Sequence, residues 1–229
     1  MKRALAEKSV GVRRRSKLVE IVAVGVLLSV GLFASRTIAS IYTLTPGNTI
    51  TANSAAYPSG GTILSSHTGS FASGTIDGTV TSYVISGDSS NPYGGLTFEY
   101  LLTMTGGTDN ISELTAGGYA GYQTDATYNP NTPSSGGIAP SFFSRSTTGV
   151  NNGDTLEFSW LFNKLSPGQT GDLVVVQTDA HNYGLGSGSA IDSTAVSVAI
   201  LTPVPEPQIA SLAAMGLGAL FIFLRRNSK

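Results

Sequence analysis

The sequence predicts an all-β fold between residues 40 and 203, and within that class an antiparallel β-sandwich of the immunoglobulin-like or jelly-roll kind. Three observations predict it. Apolar and polar side chains alternate over several short segments, which is the period of a strand with one buried face. Clusters of Gly, Asn, Pro and Ser separate these segments and suit tight turns. No helical period of useful length lies between the same residues.

The clearest strand candidate covers residues 96–104. Its alternate positions are apolar and would share one face, namely Leu96, Phe98, Tyr100, Leu102 and Met104. The other face carries Thr97, Glu99 and Thr103. Strict alternation of this kind predicts one face in the core and the other in solvent.

Later segments repeat the pattern. In 156–163, Leu156, Phe158, Trp160 and Phe162 alternate with Glu157, Ser159, Leu161 and Asn163, and in 195–200 Val196, Val198 and Ile200 alternate with smaller residues. The segment 173–176 is apolar on both faces, as expected for a central strand. Less regular candidates cover 49–56, 62–66, 79–86 and 111–116.

The first 39 residues predict a signal peptide. Residues 21–33 carry no charge and follow a basic cluster that begins at Arg13, and a run of this length is short of the roughly 17–25 residues of a spanning helix. Small side chains at Thr37 and Ala39 place the cleavage bond between Ala39 and Ser40. An uncleaved anchor is the alternative, but Arg36 interrupts it. The Sec route is favoured because the twin-arginine pattern is incomplete after Arg15.

The last 26 residues, 204–229, predict a membrane-inserted tail. Val204-Pro205-Glu206-Pro207 precedes sixteen residues without charge, 209–224, which would rise about 24 Å as a helix. The pair Arg225-Arg226 follows and should stay cytoplasmic, which puts the preceding domain outside. Residues 203–205 predict a short stiff linker. A buried soluble helix is the alternative, and it does not explain the order of these parts.

This order of Pro205-Glu206-Pro207, a short apolar helix and a terminal Arg225-Arg226 pair resembles the PEP-CTERM sorting signal of Gram-negative bacteria. The resemblance implies recognition by an exosortase, a membrane cysteine transpeptidase-like enzyme, and removal of the tail. It also implies a role near exopolysaccharide production and biofilm or surface assembly. Residues 87–100 and 173–180 resemble the β-rich ectodomains common among such proteins, a likeness that brings no activity with it.

Charge and composition exclude several function classes. Residues 40–207 carry two basic and twelve acidic side chains, a net charge of −10 that would repel nucleic acid. The chain has no cysteine, so it has neither a disulfide nor a thiol nucleophile. No serine lies in a G-x-S-x-G elbow.

A few side chains are candidates for chemistry. His67 and His181 stand alone without a zinc-ligand spacing, and we expect both on loops. Glu99 and Glu157 lie opposite the aromatic rows of their strands and could form the carboxyl pair of a glycoside hydrolase. The alternative is that they mark the solvated faces of half-buried strands.

Ligand-binding side chains are also conceivable in the loops. Asp88 and Asn91, with Asp77 and Asp125, could offer oxygen ligands to calcium, although turn formation is the commoner role of Asp and Asn. Aromatic rings that could stack on sugars belong to Tyr83, Tyr93, Tyr100, Tyr119, Tyr122, Tyr128 and Tyr183. We predict no cofactor, with calcium as the alternative.

Together these observations predict an exported, exosortase-processed structural protein of the cell surface or extracellular matrix, without enzymatic activity. Its expected partners are the Sec translocon, signal peptidase, the exosortase, the membrane through residues 209–224, and exopolysaccharide. It would pass through an inner-membrane intermediate. A carbohydrate-binding module acting on the producer's own polysaccharide is the second hypothesis, and a glycoside hydrolase with a Glu pair is the third.

Overall fold

The computed structural model describes residues 43–55, 58–132, 136–147 and 152–205. These ranges contain eleven strands and no helix. The strands are β1 (Thr49–Thr51), β2 (Thr62–Ala72), β3 (Ile76–Ser86), β4 (Thr97–Gly107), β5 (Glu113–Ala116), β6 (Thr124–Asn129), β7 (Phe142–Arg145), β8 (Leu156–Ser159), β9 (Leu173–Thr178), β10 (Tyr183–Ile191) and β11 (Ala195–Pro203). The predicted all-β class is therefore confirmed.

The predicted signal peptide 1–39, its predicted cleavage bond between Ala39 and Ser40, and the apolar run 209–224 lie outside these ranges. Glu206, Pro207 and the pair Arg225-Arg226 also lie outside them. Within the described ranges no helix has the length and hydropathy needed to span a bilayer.

The strands form two antiparallel sheets. One has five strands in the order β2-β3-β4-β9-β6, and the other has six in the order β1-β7-β8-β5-β10-β11. Phe98 and Tyr100 of β4 and Phe143 and Phe158 of the six-stranded sheet are all fully buried. The rings of Tyr100 and Phe158 lie 5.8 Å apart between centroids, so the inner faces of the two sheets contact each other.

The predicted apolar rows are largely confirmed. All five apolar side chains from Leu96 to Met104 are buried, and Val198 and Ile200 of β11 are buried opposite exposed Ala199. Every residue of β9 is buried, as predicted for 173–176, because β9 pairs with both β4 and β6. On β4, however, Thr97 and Glu99 are buried as well, so the expected solvated face is wrong there.

The alternating buried row predicted for 156–163 is wrong at its C-terminal end. β8 stops at Ser159, and Phe162 is 78% exposed. The chain turns here, since the Asn163 N–H donates to the Trp160 carbonyl at 3.1 Å. The Phe162 ring instead packs edge-on against Phe142, 5.4 Å away between centroids.

The two sheets approach closely at one side, where β11 packs against β2 and β3. A Cβ added to Gly69 would lie 2.2 Å from the Ala199 carbonyl oxygen, so only glycine permits this approach. The Leu201 N–H donates to the Ser82 hydroxyl at 3.0 Å. At the other side, residue 128 of β6 exchanges backbone hydrogen bonds with Asn53 and Ala55, just beyond β1.

A buried arginine ties the ends of several segments together. Arg145 is 5% exposed and donates five hydrogen bonds to uncharged oxygens. The acceptors are the carbonyls of Leu44, Tyr119, Tyr122 and Gly153 and the hydroxyl of Thr124, at 2.6–3.0 Å. One side chain thus donates hydrogen bonds to carbonyls of loop residues, which are not paired with a neighbouring strand.

The domain remains structured through residue 204. Pro203 is the last residue of β11, the Val204 N–H donates to the Asn182 carbonyl at 3.2 Å, and the Tyr122 hydroxyl donates to the Val204 carbonyl at 2.7 Å. Residues 203 and 204 therefore belong to the folded domain and not to the linker predicted for 203–205.

Candidate functional site

A groove of about 450 Å³ lies on the outer face of the five-stranded sheet. Glu99 enters it because it alternates along β4 with Phe98 and Tyr100, whose side chains occupy the core. Tyr83 of β3 stands directly opposite Glu99 in the ladder and also lines the groove. Leu173 of β9 adds an apolar side chain to the lining.

Glu99 is the one carboxyl among the described residues that line this groove. Its side chain is 6% exposed and makes no hydrogen bond within the described part of the chain. Burial, with a smaller contribution from the charge of Asp88, raises the pKa of Glu99 to about 7. The carboxyl can therefore donate or accept a hydrogen bond near neutral pH. No Lys, Arg or His is among the described residues that line the groove.

Asp88 organises the loop beside the groove. Its carboxylate accepts five hydrogen bonds. The donors are the Ser90 hydroxyl at 2.5 Å, the Ser90 N–H at 2.9 Å, the Ser59 N–H at 3.0 Å, the Thr97 hydroxyl at 2.8 Å and the Gln177 amide at 2.9 Å. Burial opposes ionisation, but these hydrogen bonds outweigh it and lower the pKa of Asp88. The side chain thus joins residues 58–61, which contribute to the groove, to β4 and β9.

Asn91 fixes the rest of the same loop. Its amide nitrogen donates to the carbonyls of Gly95 and Thr178, each at 3.0 Å, and its oxygen accepts from the Tyr93 N–H at 2.9 Å. The turn-forming interpretation of Asp88 and Asn91 is therefore confirmed. Asp77 lies in β3 and Asp125 in β6, and in the described ranges no three His, Asp or Glu side chains cluster as metal ligands would.

The second predicted carboxyl, Glu157, lies on the opposite side of the domain. It points away from the core on β8, on the outer face of the six-stranded sheet, so both sheets separate it from Glu99. The structure does not bring the pair Glu99 and Glu157 together as a glycoside hydrolase would require.

Glu157 instead has a neighbour that the sequence analysis missed, Glu113 of β5, which pairs with β8. Burial, followed by the repulsion of Glu157, raises the pKa of Glu113 to about 7. The Ser144 hydroxyl donates to Glu157 at 2.8 Å. Only the pairing of β5 with β8, some forty residues apart, reveals this contact.

The two histidines differ in position. His181 lies in the loop between β9 and β10, as predicted, and is exposed. His67 lies within β2, opposite Ser82 of β3, so its prediction as a loop residue is wrong.

The tyrosines proposed as a sugar-stacking set serve several purposes. Tyr100 and Tyr119 are fully buried, their hydroxyl oxygens lie 2.6 Å apart, and Tyr100 donates to the Leu201 carbonyl at 2.9 Å. These two rings support the core. Among the described tyrosines, Tyr83 is the one that lines the groove beside Glu99.

No known protein-family model, curated protein or solved structure matches this chain. The functional conclusion therefore rests on the chain's own residues.

The buried carboxyls predict an unusual dependence of stability on pH. A carboxyl whose pKa is raised by folding resists ionisation, so stability is greatest below its unfolded pKa of 4.5 and falls as the pH approaches 7. We expect Glu99 to destabilise the domain by about 3 kcal/mol at pH 8 relative to pH 4.5. Asp88 acts in the opposite direction, because its lowered pKa makes stability fall again in stronger acid, below 3.8.

Urea unfolding of the full-length chain, followed by the fluorescence of Trp160, measures this dependence. Trp160 is the only tryptophan of the chain and is fully buried. Glu99→Gln should raise the urea midpoint at pH 8 and flatten the slope between pH 8 and 4.5. Glu113→Gln is the control on the other sheet and should remove a separate part of the slope. A Glu99→Gln profile parallel to that of the parent contradicts the assignment.

Proposed function

We propose that this chain is an exported, exosortase-processed protein of the cell surface or extracellular matrix, with a structural and not an enzymatic role. The order of Pro205-Glu206-Pro207, the apolar run 209–224 and Arg225-Arg226 carries the proposal. The hydrogen bonds of Val204 support it, because within the described residues they are the last contacts of the domain and lie two residues before Glu206. Export would begin with the signal peptide 1–39.

We propose further that the two sheets form a β-sandwich of the jelly-roll type. The aromatic contact between Tyr100 and Phe158 supports a face-to-face arrangement. The chain passes from one sheet to the other six times, between β1 and β2, β4 and β5, β5 and β6, β6 and β7, β8 and β9, and β9 and β10. An immunoglobulin constant-type domain makes about three such passages, so the topology favours the jelly-roll alternative.

A second function is carbohydrate binding to the producer's own polysaccharide. The groove around Glu99 favours it, since a buried carboxyl and a tyrosine beside apolar side chains are a common composition of small-molecule sites. The two functions are compatible, because a matrix protein can hold polysaccharide without changing it.

Replacing Pro205-Glu206-Pro207 by three alanines tests the first proposal. Proline disfavours helix in the residue before it, so the triplet stays extended and open to a membrane enzyme. Pulling Arg225 and Arg226 through hydrocarbon costs roughly 2.5–3.5 kcal/mol each, which holds the tail at one depth. We expect the variant to be exported but to remain in the membrane fraction with its tail attached, as judged by size and fractionation in a host with an exosortase.

The parent chain in a host without the exosortase is the matched control and should show the same larger size. If the alanine variant is trimmed and released like the parent, the sorting assignment is wrong and residues 209–224 are a permanent anchor.

A further inference from the structure

We propose that the groove around Glu99 binds a short, uncharged segment of a glycan, with the Glu99 carboxyl as its hydrogen-bond anchor. The proposal deepens the carbohydrate-binding function above and rests on it. Tyr83 and Leu173 would contact the C–H faces of the sugar rings.

The anchor is a carboxyl that lacks a partner within the described residues. Neighbouring residues cover most of the Glu99 side chain, but its carboxyl oxygens remain open to the groove, where a ligand can reach them. Glu99 is 6% exposed, lines a groove, and accepts nothing from the described chain, whereas nearby Asp88 accepts five separate donors. A ligand that supplies hydroxyl groups would satisfy Glu99.

Charge selects the class of ligand. The described lining offers no cation, so the only ionisable acid or base that a uronic acid or a phosphate would meet there at neutral pH is the carboxyl of Glu99, which repels it when ionised. An amine would need Glu99 ionised, and both burial and the charge of Asp88 oppose ionisation. A sugar hydroxyl suits either state of the carboxyl, because it donates to the carboxylate and accepts from the protonated acid.

The shape of the lining suits sugar rings. Ile63, Ile85, Leu101 and Leu173 provide apolar surface, and Ile63 is 59% exposed. The pairing of β2 with β3 shifts register between Ile63 and Ser65, and such a bulge redirects side chains near binding sites. A volume of about 450 Å³ falls in the range of roughly 300–1,000 Å³ found for small-molecule sites.

The groove is formed before a ligand arrives. The hydrogen bonds of Asp88 to Ser59, Thr97 and Gln177 join the loop residues of the groove to two neighbouring strands. Binding therefore requires little ordering of the protein, which favours affinity for a weakly held ligand such as a sugar.

Titration calorimetry with the full-length chain, in a detergent without sugar headgroups, tests the proposal. The probes are neutral gluco-, manno- and galacto-oligosaccharides, oligomers of uronic acid, and oligomers of glucosamine. We expect binding of at least one neutral series, a loss of about tenfold or more in affinity for Glu99→Leu, and little change for Glu99→Gln, which keeps the hydrogen bonds. Glu113→Leu, on the other sheet, should bind like the parent.

The intrinsic fluorescence of Trp160, which is fully buried, reports whether each variant is folded. Tyr83→Ser is a second substitution in the groove and should also weaken binding. The proposal is overturned if no neutral series binds, if Glu99→Leu binds as the parent does, or if glucosamine oligomers bind most tightly. These outcomes leave the sorting proposal untouched, because tail removal is measured without any glycan.

Discussion

Replacing Arg145 by methionine is expected to lower the free energy of unfolding by at least about 4 kcal/mol. The substitution keeps an apolar stem of similar length but removes every donor. The carbonyls of Leu44, Tyr119, Tyr122 and Gly153 and the Thr124 hydroxyl would then each lose one hydrogen bond in a region that water reaches poorly, since Arg145 is 5% exposed. A hydrogen bond to a charged group contributes about 1.5–3 kcal/mol. The Leu44 and Tyr119 carbonyls keep a second donor each, which offsets part of the loss.

Lysine should not rescue this position. The ammonium group of lysine has all its donor hydrogens on one nitrogen. The five hydrogen bonds of Arg145 are donated by three different nitrogens of the guanidinium group, which one ammonium cannot reproduce. Lys164→Met is the matched control, because Lys164 is the other basic residue of the domain, is exposed, and loses the same charge. Urea midpoints of the full-length variants measure both effects. If Arg145→Met unfolds at the same urea concentration as the parent, the hydrogen bonds of Arg145 do not stabilise the domain as expected here.

Replacing Asp88 by alanine is expected to cost about 3 kcal/mol of stability at pH 7. The Thr97 hydroxyl and the Gln177 amide would lose a charged acceptor, as would the N–H groups of Ser59 and Ser90. The loop that contributes to the groove would lose the connections to β4 and β9 that Asp88 makes, and would keep the hydrogen bond from Gln177 to the Ser90 hydroxyl. Glycan affinity should therefore fall together with stability, although Asp88 is not proposed to touch the ligand.

Unfolding in calcium and in chelator distinguishes this role from metal binding. The protein donors already occupy the Asp88 carboxylate, so we expect the same midpoint for the parent in both solutions. Asp109→Ala is the control, because Asp109 is an exposed acid and its removal changes the net charge equally. A midpoint of the parent that rises with calcium, with no rise in Asp88→Ala, would instead support the calcium alternative.

The strands with strict alternation could be predicted from sequence because their burial is a local pattern. The buried apolar rows of β4 and β11 were predicted in this way, and so was the two-sided burial of β9. β10 escaped prediction since Gly184, Gly186 and Gly188 replace its apolar row. An added Cβ would lie 2.2 Å from the Thr202 hydroxyl at Gly186 and 2.5 Å from the Thr115 carbonyl at Gly188, so the missing side chains permit close neighbours. β6 is mostly polar, and β7 has its two phenylalanines at adjacent positions, so neither strand shows an alternating apolar row.

The candidate site was less accessible to prediction because it depends on contacts between distant segments. The sequence places Glu99 opposite an aromatic row, but it does not reveal that the outer face of β4 is buried too. It gives no indication that β8 pairs with β5, which puts Glu113 beside Glu157. The role of Arg145 was equally hidden, because its acceptors lie up to 101 residues away and carry no distinguishing side chain.

The position of β11 determines when this domain can finish folding. Synthesis runs from the N-terminus, so β11 emerges after the other ten described strands. Until then one edge of β10 has no partner strand, and Gly69 of β2 has no strand of the other sheet packed against it. The hydroxyl of Tyr100 also lacks its acceptor, the Leu201 carbonyl. The hydrogen bond from Leu201 to Ser82 spans 119 residues, and contacts of such separation form slowly because a long loop must close first. The domain therefore completes its contacts in one late step, at the moment when the chain up to Val204 becomes free to pair.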